Sequence, residues 1–90
     1  MSDNENQSTE IQNLIAELSK LGYFYLKDDR LDEAEEKFQK ILTYDSQNTY
    51  ALVGLGDVAR KKNNFRDAVE YYKSCLEHHD ENNYALFGLA

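Results

Sequence analysis

The side chains with the most reactive chemistry stand together late in the chain: Cys75, His78 and His79 fall within about one helical turn. Thiolate and imidazole are good zinc ligands, but a structural zinc site takes four ligands and this run is short of that number. Histidine near a helix C-terminus is also favoured by the helix dipole alone. No metal and no cofactor is therefore expected. Gly54-Leu55-Gly56-Asp57 carries the opening of a dinucleotide-binding fingerprint, yet the third glycine is missing and no strand leads into it, so helix packing is the better reading. The paired carboxylates Asp28-Asp29 and Glu35-Glu36 fall in a turn and on a polar helix face, where water keeps them ionised. No Ser, Cys or His stands in a pattern that suggests a nucleophile with its base. The chain reads as a protein that is not an enzyme.

Composition narrows the class further. The chain has 90 residues, enough for one small domain whose core is marginal unless its elements pack regularly. It has no Pro and only four Gly, and it is rich in Ala, Leu, Glu, Lys and Gln, which lose little freedom in a helix. An all-α fold follows. Ten Lys and Arg against 17 Asp and Glu give a net charge of −7, and a field of that sign repels phosphate backbones, so nucleic acid is not expected as a partner. A single Cys forms no internal disulfide, the opening MSDNENQSTE lacks the apolar centre of a secretory signal, and no apolar run is long enough to span a membrane. These features point to a reducing, cytoplasmic compartment and to no membrane partner. Asn6-Gln7-Ser8 then matches the glycosylation sequon by accident.

The elements that position these residues follow from periodicity. Residues 1–8 are polar and without period and read as a flexible acidic tail. Thr9 with Gln12 has the form of a capping box, and Ile11, Leu14, Ile15, Leu18, Leu21, Gly22 and Tyr25 then make one helical stripe. Residues 27–30 break the stripe; Asp32 with Glu35 has the form of a second capping box, leading into Ala34, Phe38, Ile41 and Leu42. This second helix is expected to lie antiparallel to the first. A turn over 44–48 leads to a third helix from about Thr49 to Lys62, and Asn63-Asn64 to a fourth from Phe65 to about His78. A fifth opens after residues 80–83 and is cut at Ala90 after about two turns, which suggests a longer array.

The strongest signal is internal repetition. Tyr50-Ala51-Leu52-Val53-Gly54-Leu55-Gly56 matches Tyr84-Ala85-Leu86-Phe87-Gly88-Leu89-Ala90 at five of seven positions, at an offset of 34. The same offset joins Leu18 to Leu52, Leu21 to Leu55, Gly22 to Gly56, Ala34 to Ala68, Phe38 to Tyr72 and Leu42 to Leu76. A fixed period of this length marks stacked units.

On these residues the chain resembles the tetratricopeptide repeat family. The family's pattern falls on Leu18, Leu21-Gly22, Tyr25, Leu31, Ala34, Phe38 and Leu42, and again on Leu52, Leu55-Gly56, Ala59, Phe65, Ala68, Tyr72 and Leu76. The usual Pro is replaced by Ser46 and Asp80, and Ala59 stands where Tyr is common, departures that loosen the turns between repeats without changing the fold. The resemblance implies a helix-turn-helix repeat solenoid over 9–90, with repeats at 15–48 and 49–82 and the first helix of a third over 83–90. Gly22 and Ala34 would be the small residues where paired helices cross, with Phe38 filling the space alongside.

The resemblance also implies the function of a protein–protein interaction scaffold, in which the first helix of each repeat lines a concave groove for a peptide segment. Carried onto this sequence, the peptide-binding residues would be Tyr23, Leu26 and Lys27 from the first repeat, with Ala16 and Ser19 beside them, then Tyr50, Val53, Asp57, Arg60 and Lys61 from the second, and Tyr84 and Phe87 from the third. Aromatic anchors and a few cations suit an extended or helical peptide with a carboxylate contact. The same tyrosines would equally serve as packing between repeats. Some relatives clamp the C-terminal carboxylate of chaperone tails; Ser19, Tyr23 and Asp57 stand at the clamp positions in place of the required Lys and Asn, so that ligand is disfavoured. Alternatives are a homo-oligomeric assembly module and an appendage of a larger enzyme. Leu86 and Leu89, uncovered at the cut end, lead us to expect weak dimerisation through the last helix.

Overall fold

The structure, a computed structural model, describes residues 3–78. Four helices follow one another among the described residues: α1 (Asp3–Lys27), α2 (Leu31–Tyr44), α3 (Thr49–Lys61) and α4 (Phe65–His78). They pack as two hairpins, α1 on α2 and α3 on α4, and the hairpins stack through α2 and α3. The all-α helical repeat read from the sequence is the fold. The fifth helix falls outside the described residues, as do Tyr84, Leu86, Phe87 and Leu89.

Two boundaries differ from expectation. The helix begins at Asp3, so residues 3–8 continue α1 instead of forming a flexible tail. The second capping box also fails to form: Arg30 precedes α2 without a side-chain cap. Asp32 and Glu35 instead both accept from Lys62 Nζ, at 2.7 and 3.0 Å, because an ammonium from the neighbouring repeat is a stronger donor than a backbone amide. Capping falls to two asparagines. Asn48 Oδ1 accepts from the Ala51 amide at 3.0 Å, and Asn64 Oδ1 accepts from the Asp67 amide at 3.3 Å while its amide donates to the Asp67 carboxylate at 2.7 Å.

The turn inside each hairpin is the same device used twice. Asp29 and Asn63, 34 residues apart, carry φ of 61° and 63°, the left-handed conformation that ends a helix. Behind them the Arg30 amide donates to the Tyr25 carbonyl and the Asn64 amide to the Ala59 carbonyl, each at 2.8 Å, which closes carbonyls the helix leaves open.

Close packing is organised around two aromatic rings. Phe38 is fully buried, and a Cβ built on Gly22 or on Gly54 would come within 2.6 or 2.4 Å of its ring. The ring is thus wedged between α1 and α3 and ties the two repeats together. Tyr72 fills the matching space in the second hairpin, against Gly56, where a Cβ would lie 2.4 Å from the ring. Ala34 is fully buried, as a small residue at a helix crossing must be. The two glycines of the supposed dinucleotide fingerprint are therefore packing notches in the middle of a helix. Cys75, also fully buried, belongs to the second core cluster with Leu52, Val53, Ala59, Ala68 and Tyr72.

Candidate functional site: the inner face of the first helices

The helices of the stack are unequally spaced. The backbones of α1 and α3 come into contact, whereas those of α2 and α4 stay apart. The latter two meet through side chains, with the Gln39 amide donating to the Tyr71 hydroxyl at 3.3 Å. Between them a cleft of about 140 Å³ opens above Leu55 and Val58, lined by Glu35, Lys62, Asn64 and Asp67. The α1–α3 side, where the backbones meet, is termed the inner one.

Residues from both first helices meet there. Tyr23 packs edge-on against Phe38, with ring centres 5.0 Å apart, and its hydroxyl donates to the Tyr50 carbonyl at 2.9 Å. That bond joins α1 to the first turn of α3 and leaves the Tyr50 ring 60 % exposed. At the other end Lys61 reaches back to α1. Its ammonium donates to the Leu26 carbonyl at 3.2 Å and to the Asp29 carboxylate at 3.3 Å, which caps the C-terminus of α1 with a cation. Arg60 is exposed and pairs with Asp57 at 3.4 Å; Lys27 is exposed on α1.

Not every residue assigned to the groove from sequence is offered to solvent. Leu26 and Val53 lie in the core, one in each cluster, and have little surface to give a ligand. A helix has no sharp edge between its buried and its presented face, and periodicity alone does not separate neighbouring positions on that border. Asp57 is half-buried and accepts a hydrogen bond from the Tyr72 hydroxyl. Burial first, and then this bond to Asp57, push the Tyr72 phenol up to about 12. The sequence held the signal: at an offset of 34, the aromatic pair Tyr23 and Phe38 is replaced by the polar pair Asp57 and Tyr72. The Asp57 carboxylate, expected at the ligand, is engaged in a bond that fastens α4 to α3.

Burial also pushes the Cys75 thiol up, against a smaller opposing effect of its hydrogen bond with Thr49. His78 ends α4, and His79 lies outside the described residues. Among the described residues no group of three or more His, Cys, Asp or Glu side chains is placed to hold a metal ion, and no helix is long and apolar enough to cross a membrane.

Comparison with known proteins agrees with this geometry. The family model described as tetratricopeptide repeat matches residues 25–86, a span that runs from the last turn of α1 through α2, α3 and α4. Neither the curated proteins nor the solved structures gave a match. Two hairpins in the same register, aromatic rings seated on glycines 34 residues apart in their pattern, and a family match over more than half the chain lead to one assignment: this protein belongs to the tetratricopeptide repeat family, whose repeats are protein-interaction modules.

Proposed function

We propose that the inner α1–α3 face binds a peptide segment of a partner protein in an aqueous compartment such as the cytoplasm, and that the protein acts as a scaffold without chemistry of its own. The observation that carries this reading is Tyr50. A large aromatic ring 60 % exposed stands on backbone that the Tyr23 hydroxyl fixes through the Tyr50 carbonyl, and a tyrosine has only two side-chain torsions to order on meeting a ligand. Tyr50 supplies an anchor, while Lys27 and Arg60 supply cations for a carboxylate of the ligand. Lys61 is already engaged at the end of α1 and contributes to the shape of the groove more than to contact with the ligand.

The test begins with an identified partner and its peptide. Tyr50→Ala and the double variant Lys27→Glu, Arg60→Glu should each weaken binding by about tenfold or more, a loss on the order of 1.4 kcal/mol. The helical signal and the melting temperature should hold in both, because all three side chains are exposed. A peptide footprint that lies around Lys37 and Lys73 on the second helices would overturn the assignment.

A further inference from the structure

In successive repeats α1 and α3 occupy equivalent places. The face of α3 that turns toward the preceding repeat is fully used: Ala51, Leu55 and Val58 are 0, 1 and 2 % exposed, packed in one cluster with Ala34, Phe38 and Ile41 of α2. Thirty-four residues earlier on α1 stand Glu17, Leu21 and Phe24. Leu21 is 40 % and Phe24 60 % exposed, and Leu14, two turns before Leu21 on the same stripe, is 39 % exposed. No helix among the described residues covers this face. It has the form that receives a second helix in the repeat that follows, and it is apolar enough to receive one here.

Its charge, however, is inverted. Just after α3 the cation Lys62 holds Asp32 and Glu35 of α2; the equivalent residue just after α1 is Asp28, an exposed acid. Where α3 has the small apolar Ala51, α1 has the exposed Glu17. Neither Glu17 nor Asp28 forms an ion pair among the described residues. Lys20 stands where Gly54 makes room for the Phe38 ring, so a helix lying on α1 must bring a small side chain to that level.

We propose that the outer face of α1 docks an amphipathic helix of a partner protein, one whose apolar stripe is flanked by lysine or arginine. A helix like α2 would set its acids against Asp28. A second copy of this chain would do the same with its own α1, within a molecule of net charge −7, and like charges face to face are unfavourable. A basic flank instead gives each acid a partner and recreates the Lys62 arrangement with the signs exchanged. This face is separate from the inner α1–α3 side, so its test does not depend on the peptide-groove reading.

Two designed helical peptides provide the probe. They share one leucine stripe with a central alanine and differ only in flanking lysine or flanking glutamate. The lysine peptide should shift the backbone amide resonances of Leu14, Glu17, Leu21 and Phe24, and at low salt it should bind about tenfold or more tightly than the glutamate peptide. Leu21→Ser with Phe24→Ser should remove the binding while leaving the circular dichroism melt in place. Glu17→Lys with Asp28→Lys should reverse the preference between the peptides, whereas a charge-matched control, Glu36→Lys with Glu70→Lys, should leave it unchanged. Equal affinity for both peptides, a footprint on Tyr50 and Arg60, or a control that weakens binding as much as the α1 variant would each overturn the proposal. So would resonance shifts on this face that depend on protein concentration alone, since a second copy would then be its occupant.

Discussion

Single side chains decide how closely these helices approach. Phe38 is held from both sides, by Gly22 on α1 and Gly54 on α3, and neither glycine leaves room for a methyl group. Gly54→Ala gains about 1 kcal/mol of helix propensity, but the added Cβ meets a ring that cannot retreat, at a cost of about 1–3 kcal/mol. The net effect is destabilising in a denaturant melt, and it should shrink in a Phe38→Leu background, where the ring is gone; an equal loss in both backgrounds would show that the notch is not the cause. Tyr72 gives a second test at this scale. Its phenol titrates near 12 when folded against 10.0 in the reference state, so folding favours the protonated form. The resulting stability is complete below pH 10 and drains away as pH rises from 10 to about 12. Tyr72→Phe should flatten that part of the stability curve relative to the parent chain. The glycines and the aromatic rings were legible in the sequence because the offset of 34 repeats them. The bond between Asp57 and Tyr72 was not read, because it joins two residues each of which has a satisfactory role by itself.

Whole helices begin and end by rules the sequence states unevenly. The starts of α3 and α4 rest on Asn48 and Asn64, whose side chains accept amides of the first turn. The start of α2 looked better marked, with Asp32 and Glu35 in capping positions, yet those carboxylates are drawn to Lys62 across the repeat boundary. A pattern of local sequence cannot report a competitor 27 to 30 residues away. Lys62 holds Asp32 below its ordinary range, chiefly through their hydrogen bond, so Lys62→Met should return the Asp32 titration upward when followed by NMR. The turns are more uniform. At Asn63, φ of 63° suits asparagine, whose short polar side chain tolerates it, and is poor for a β-branched residue. Asn63→Val should cost about 1–2 kcal/mol and Asn63→Gly little, as read by chemical denaturation. Equal effects would mean the turn carries no conformational selection.

For the molecule as a whole, the described residues form two hairpins that share their packing. Phe38 belongs to α2 and lies against both α1 and α3, and Leu42 and Tyr71 pack against both core clusters. Repeat proteins derive stability from each unit and from the interface between neighbours, so this wedge couples the melting of the hairpins. The candidate site was less legible than the fold because which border residues of a helix are covered depends on its neighbours in the stack, and Leu26 and Val53 fell on the buried side. Cys75 turns the same coupling into a clock. It is the one thiol of the chain and is fully buried in the cluster shared by α3 and α4. A water-soluble thiol reagent reaches it only when that hairpin opens, and only the thiolate reacts. Under conditions where closing outpaces labelling, the labelling rate is proportional to the open fraction, so its logarithm measures the opening free energy without denaturant. Phe38→Ala lies in the first hairpin and does not touch the thiol. If the wedge transmits stability, that variant should nonetheless speed the modification of Cys75 tenfold or more, about 1.4 kcal/mol for each factor of ten, and an unchanged rate would show that the two hairpins open independently.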